Sequence, residues 1–196
     1  LVGSEMCIRD SSNIDPINLI EVFEKCDPEA TLFIIASKSF GTFETLENAK
    51  IIKNWLAESN VSLNDAMVAI TSSKEKAKKW GFKNSNIFHI SENIGGRYSL
   101  WSSVGMSILF GLGEDNYKKF LHGAQTMDEH FVNEEIENNI PIIFALLRIW
   151  NRNFLSRNNH CIVPYSNSLS KLPAWAQQLE MESNGKSVDL EGQTLK

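Results

Sequence analysis

Apolar and polar positions follow two different periods up to about residue 90. Three short runs are mainly apolar or β-branched, as in strands buried on both faces, and they span residues 31–37, 66–71 and 86–90. Apolar residues recur at helical spacing over residues 17–25, and helices are also predicted over residues 42–58 and over the lysine-rich residues 73–80. Residues 12–15 are predicted to end an earlier strand. This alternation predicts an α/β fold in which a parallel sheet is flanked by helices.

The pattern becomes mainly helical after about residue 97. Helical spacing predicts four further helices, over residues 100–112, 116–131, 136–156 and 170–182. Residues 160–164 (HCIVP) form one short strand candidate between the last two helices. The helical stretch is therefore expected to be either a second domain or a region that links two domains.

Both ends of the chain differ from the rest. Residues 1–10 (LVGSEMCIRD) show neither period, and with Ser11 they resemble translated sequencing-adapter read-through. The alternative for residues 1–11 is a disordered native terminus, and in either case they are left out of the fold prediction. The chain does not begin with Met, and residues 187–196 are polar. We expect a fragment that is truncated at both ends.

Composition narrows the class of protein. With 42% hydrophobic and 22% charged residues among 196, the chain is typical of a globular protein, and its net charge of −5 argues against a nucleic-acid partner. Arg148 ends the longest apolar run well before membrane-spanning length. Three cysteines without a CxxC motif fit a reducing cytoplasm. We expect a cytoplasmic protein with no membrane partner.

The loop that follows the first predicted buried strand could bind an anion. It carries the hydroxyls of Ser37, Ser39 and Thr42 and the ammonium group of Lys38, directly before a predicted helix. Hydroxyls and backbone N–H groups at a helix N-terminus suit the oxygens of a phosphate monoester. The alternative is an ordinary loop in which Thr42 is the helix N-cap. The pattern of a Walker loop is absent.

A second candidate follows the strand predicted over residues 86–90. The paired glycines Gly95 and Gly96 would let the backbone approach a ligand closely. Arg97 could stabilise a developing oxyanion. The alternative is a tight turn with a structural arginine.

A third candidate lies near the end of the last predicted helix. Either Glu180 or Glu182 could be a general base, but a solvated acidic helix end explains these residues better when they are taken alone. The four histidines have no metal-ligand spacing, so structural roles are expected for them and no metal site is predicted.

Five segments in order resemble the glucose-6-phosphate isomerase (phosphoglucose isomerase) family: SNID (12–15), TLFIIASKSFGTFETLENA (31–49), ENIGGRYSLWSSVG (92–105), GAQTMDEHF (123–131) and QQLEMESNGK (177–186). The resemblance implies a two-domain α/β protein of the sugar-isomerase (SIS) fold, more than twice as long as this chain. Residues 12–110 would be the C-terminal half of the first sugar-isomerase domain. Residues 111–196 would be the helical start of the second.

The resemblance also implies roles for individual residues. Glu182 would be the catalytic base and Arg97 would stabilise the enediol(ate), whereas the substrate-binding residues would be Ser37, Lys38, Ser39, Thr42, Gly96 and Gln178. The implied reaction is the reversible isomerisation of glucose 6-phosphate and fructose 6-phosphate through a cis-enediol. It requires neither a metal nor a cofactor, and the active enzyme would be a homodimer.

Some features of the family pattern are missing from the chain. Gly41 and Phe43 replace more polar residues, and Ser39 replaces the common threonine. The upstream phosphate-loop serine, the ring-opening histidine and the C-terminal lysine are absent. We therefore expect the 196-residue chain itself to be inactive. The alternative from another class is a non-catalytic sugar-phosphate-binding module of the same fold.

Overall fold

The computed structural model describes residues 14–194 of the chain. In chain order the helices and strands are α1 (Pro16–Phe23), β1 (Phe33–Ala36), α2 (Phe43–Glu58), α3 (Leu63–Ala66), β2 (Met67–Thr71), α4 (Lys74–Trp80), β3 (Ile87–His89), α5 (Met106–Leu112), α6 (Glu114–Asn133), α7 (Ile140–Ile149) and α8 (Leu172–Asn184). Short 3₁₀ turns span Pro28–Ala30, Asn84–Asn86, Gly96–Trp101, Ser103–Gly105 and Asn167–Leu169. Residues 1–13, which include the predicted terminal segment and half of the strand end predicted over residues 12–15, lie outside the described residues.

The chain divides into two compact units, and the division falls between Tyr117 and Lys118, inside α6. The boundary expected from the sequence, after residue 110, lies seven residues earlier. In the described residues of both units, no helix combines the length and the apolar character needed to cross a membrane.

The sheet of the first unit confirms the predicted parallel arrangement. Its strand order is β1-β2-β3, with Phe33 opposite Met67 and Ala69 opposite Ile87. The central strand β2 is almost wholly buried, which explains its continuous apolar sequence. Each strand lies within the predicted run but is shorter by one to three residues.

Helix α2 covers the sheet through one apolar stripe. Ala49, Ile52 and Leu56 recur at helical spacing and are buried, and Leu56 is wholly inaccessible. They belong to one core cluster with Met67 and Ala69 of β2. This packing holds α2 at the sheet and so sets where its N-terminus lies.

The second unit consists mainly of α6, α7 and α8. The helix predicted over residues 136–156 begins only at Ile140, because Pro141 is tolerated in a first turn but not inside a helix. Asn139, which is fully buried, caps this helix by accepting a hydrogen bond from the Ile142 N–H. The α-helix ends at Ile149, and the chain then forms a π-helical turn over Trp150–Phe154.

Two further sequence predictions are wrong in detail. Residues 160–164 do not form a strand, because the described residues 118–194 contain no strand that could pair with them. The helix predicted over residues 100–112 is α-helical only from Met106. Before it, Ser102 has an extended backbone and its hydroxyl accepts a hydrogen bond from the Val104 N–H, which separates two 3₁₀ turns.

Candidate functional site

The candidate residues of the first unit lie at the carboxyl edge of the sheet. The three strands are parallel, so the segments that follow them, residues 37–42, 72–73 and 90–97, leave the sheet at the same edge. Ligands of open α/β sheets bind at this edge. Two of the three constellations predicted from the sequence are therefore brought together by the topology.

The loop after β1 places two hydroxyls side by side. Ser37 is buried and extends the strand pairing by donating its N–H to the Ile70 carbonyl at 3.0 Å. Its Oγ lies 3.1 Å from Oγ1 of Thr42. Phe40, at φ 44° and 3% exposed, turns the chain between them and anchors the loop in the core. We call residues 37–42 the hydroxyl loop.

Thr42 occupies the N-cap position of α2 but does not cap the helix with its side chain. Its hydroxyl lies against Ser37 instead, so it takes none of the first-turn amides of this 16-residue helix. An N-terminus of this kind carries partial positive charge. The two hydroxyls and the first-turn amides together form a donor set suited to phosphate oxygens. This geometry favours the anion site over the ordinary N-cap.

Lysines contact this region in a way that the sequence pattern did not reveal. The ammonium group of Lys38 donates to the Glu92 and Ile94 carbonyls at 2.7 and 2.8 Å. Lys76, in α4, donates to the Ser39 carbonyl at 3.0 Å and so lies beside the hydroxyl loop. The sequence did contain one indication that Lys76 lies near this loop. Lys76 is in the first turn of α4, and α4 begins at the same edge of the sheet because it follows β2.

The Gly96–Arg97 pair lies in the 3₁₀ turn Gly96–Trp101. This turn is held from inside, because the buried Ser99 donates its hydroxyl to the Gly96 carbonyl. Tyr98 donates its N–H to the Gly95 carbonyl at 3.0 Å, and its ring lies 5.8 Å from the guanidinium carbon of the half-buried Arg97. The turn thus fixes the backbone that carries Arg97.

Gly96 itself is exposed and lies beside open space. A Cβ built there has no atom of the described structure within 4 Å, and the backbone of Gly96 does not adopt a positive φ. Neither packing nor backbone conformation therefore requires a glycine at this position. The open space would let a ligand reach the backbone.

The third constellation belongs to the second unit and lies on α8. Gln178 is exposed, and position 182 lies on the same helical face because it is four residues further along. The side chain of Glu182 lies outside the described part of the structure. Glu180 is partnered, since the Arg148 guanidinium donates two hydrogen bonds to its carboxylate at 2.7 and 2.6 Å. This ion pair joins α7 to α8.

The hydrogen bonds between Glu180 and Arg148 distinguish Glu180 from Glu182, the other general-base candidate in the sequence. Both carboxylate oxygens of Glu180 accept hydrogen bonds from the Arg148 guanidinium, so this carboxylate is engaged by a partner on α7. Glu180 therefore has a structural role between two helices. Glu182 stays a candidate general base.

Comparison with known proteins gives one consistent result. The sequence model of the phosphoglucose isomerase family matches residues 3–196. The glucose-6-phosphate isomerase of Chlorobium phaeobacteroides is 46% identical over 187 residues, and that of Cupriavidus taiwanensis is 44% identical over 188 residues. Each alignment covers 94% of this chain and 34% of the relative. The chain therefore spans about a third of the length of these curated relatives.

Solved structures are also similar to this chain. The crystal structure of a glucose-6-phosphate isomerase from Chlamydia trachomatis matches with a TM-score of 0.82 and 35% identity, covering 94% of this chain and 36% of that one. A hypothetical protein from Thermus thermophilus matches with a TM-score of 0.77 and 29% identity, covering 93% and 43% respectively. The α/β architecture is that of the sugar-isomerase fold, and on the sequence match and these structures together the chain belongs to the phosphoglucose isomerase family.

Proposed function

We propose that the full-length polypeptide containing this chain, hereafter the full-length enzyme, interconverts glucose 6-phosphate and fructose 6-phosphate. The observation that carries the proposal is the pairing of two loops at one sheet edge. The hydroxyl loop offers Ser37 and Thr42 at the N-terminus of α2, and Lys38 is hydrogen-bonded to the segment that leads to Arg97. The relatives named above are called glucose-6-phosphate isomerases. We assign this activity to the full-length enzyme.

The phosphate of the sugar binds to the hydroxyl loop in this proposal. Ser37, Ser39 and Thr42 supply hydroxyl donors, and the first turn of α2 supplies amides and the positive end of the helix dipole. Lys76 adds a positive charge beside the loop. This charge offsets the loss of polar side chains at Gly41 and Phe43, where the family pattern is more polar.

The isomerisation then moves one proton between two neighbouring carbons. In the open-chain aldose, the Glu182 carboxylate takes the proton from C2, the C2 electron pair forms the C1–C2 double bond, and O1 takes up the negative charge. Arg97 stabilises that charge. A proton passes from O2 to O1, and the Glu182 carboxylic acid returns its proton to C1 as the O2 carbonyl forms. Gly96 and Gln178 contact the substrate beside these atoms. Bonds, protons and charge balance without a cofactor.

We further propose that the full-length enzyme is cytoplasmic, acts as a homodimer and has no nucleic-acid partner. The net charge of −5 supports the last point. The absence of disulfide-type cysteine spacing supports a reducing compartment.

The proposed activity can be tested by domain exchange. Residues 14–194 replace the matching third of the Chlorobium phaeobacteroides relative, and hexose-phosphate isomerisation by the purified chimera is measured. We expect turnover, and we expect Arg97→Met to lower it by about 10²-fold because the developing charge loses its cation. Substrate binding without turnover in a folded chimera would support the sugar-phosphate-binding module instead. Full turnover in the Arg97→Met chimera would contradict the role of Arg97.

We predict that the isolated 196-residue chain has no isomerase activity. The ring-opening histidine and the upstream phosphate-loop serine are absent from it, and several large apolar residues of α7 are about half exposed, among them Leu146, Leu147 and Ile149. A helix that exposes this many apolar residues is normally covered by other protein surface. The chain should therefore bind an apolar fluorescent dye and self-associate, as measured by dye fluorescence and light scattering. Isomerisation by the purified chain would overturn this prediction.

A further inference from the structure

Lys38 connects the segments that follow all three strands of the sheet. Its ammonium group donates to the Glu92 carbonyl at 2.7 Å and to the Ile94 carbonyl at 2.8 Å, both in the segment after β3. Ile94 is two residues before Gly96 and three before Arg97. Charged N–H donors make stronger hydrogen bonds than neutral ones, so these two exposed contacts join the segment to the hydroxyl loop.

The backbone of Lys38 is hydrogen-bonded to the end of the neighbouring strand β2 and to the residue that follows it. Its carbonyl oxygen accepts hydrogen bonds from the Thr71 hydroxyl at 2.9 Å, the Ser72 hydroxyl at 2.7 Å and the Ser72 N–H at 3.0 Å. Thr71 is fully buried, which keeps its hydroxyl in one orientation. The residue therefore has a fixed main chain on one side and an anchored ammonium group on the other.

This arrangement differs from that of a phosphate-binding lysine. Two of the three N–H bonds of the ammonium group are taken by backbone carbonyls more than fifty positions away in the sequence. The side chain thus extends from the hydroxyl loop towards the turn that carries Arg97. We infer that Lys38 is a positioning residue that sets the place of Arg97 relative to the hydroxyl loop, and that it does not bind the phosphate directly. The kinetic part of this inference rests on the proposed function.

The structural part can be measured without activity. In the full-length enzyme, Lys38→Met keeps the length of the side chain but removes the donors, so amides of residues 93–98 should exchange with solvent about tenfold faster or more. Lys76→Met is the matched control, because it also removes a lysine donor to a carbonyl, that of Ser39. It should leave exchange at residues 93–98 unchanged. Unchanged exchange in Lys38→Met would overturn the inference.

The kinetic part separates positioning from phosphate binding. Lys38→Met should lower kcat by about tenfold or more, while the inhibition constant of inorganic phosphate changes by less than about threefold. Lys38→Arg, which retains donors, should recover part of kcat and guards against a variant that folds poorly. An inhibition constant that rises tenfold with an unchanged kcat would show direct phosphate binding and overturn the inference.

A double-mutant cycle tests whether Lys38 acts through Arg97. In an Arg97→Met background, adding Lys38→Met should change kcat by less than about twofold, because the group that Lys38 positions is already absent. A full tenfold loss in that background would overturn the inference. If the unsubstituted full-length enzyme shows no isomerisation, the proposed function fails, and the exchange experiment still decides the structural role of Lys38.

Discussion

Glu182→Gln in the full-length enzyme should remove nearly all isomerisation. Glutamine keeps the size of the side chain and one acceptor oxygen, but its amide cannot accept the proton from C2 at neutral pH. General-base catalysis contributes roughly 10²–10⁴-fold to a rate, so we expect a loss of kcat in that range with a KM that changes little. Steady-state assays in both directions of the reaction measure this loss.

The matched control is Glu180→Gln, two residues away on the same helix. Glu180 is paired with Arg148 between α7 and α8, and both side chains are more than a third exposed. An ion pair of this exposure contributes about 0–1 kcal/mol to stability. Glu180→Gln should therefore keep most of the activity and melt at nearly the same temperature. Equal loss of activity in the two variants would refute the assignment of Glu182 as the base.

Gly105→Ala should destabilise the first unit. A Cβ at this position would lie 2.4 Å from the carbonyl oxygen of Leu100 and 2.8 Å from the hydroxyl oxygen of Tyr117. Tyr117 can turn away, but the Leu100 carbonyl belongs to the backbone of the 3₁₀ turn that carries Arg97. Overpacking of this kind costs about 1–3 kcal/mol. We expect a lower midpoint of heat inactivation in the full-length enzyme.

Gly96→Ala is the matched control and should behave in the opposite way. The space around its Cβ is open, so the midpoint of heat inactivation should stay the same. Activity should fall, because the new methyl group extends into the region where the proposed substrate approaches the backbone. A loss of stability in Gly96→Ala, or an unchanged midpoint in Gly105→Ala, would contradict the packing described for these turns.

Much of the first unit could be predicted from local pattern. The run over residues 66–71 is apolar because β2 is buried between neighbouring strands, and the stripe of Ala49, Ile52 and Leu56 marks the buried face of α2. Gly81 directly follows the helix predicted over residues 73–80, and it ends α4 with a positive φ of 126°. In each case, the signal lies within one element and follows from its own periodicity.

Other features of the fold and the site depended on contacts with residues far away in the sequence, which local patterns do not show. Residues 160–164 have a β-rich composition but find no strand to pair with in the described residues 118–194. Glu180 and Glu182 look equivalent in the sequence, yet only Arg148, 32 positions earlier, makes Glu180 a structural residue. The period of a helix cannot reveal which neighbour packs against it.

The sequence by itself determined most of the elements, the parallel sheet and the family, because periodicity and ordered motifs are properties of the chain. It also indicated that the candidate binding residues of the first unit follow the first and third strands. Only the tertiary structure decided which loop each lysine side chain contacts. Lys38 points to Ile94, 56 positions away, whereas Lys76 approaches Ser39, 37 positions away. Such contacts arise because parallel strands bring distant segments to one edge of the sheet. The separation of two residues along the chain does not indicate such a contact.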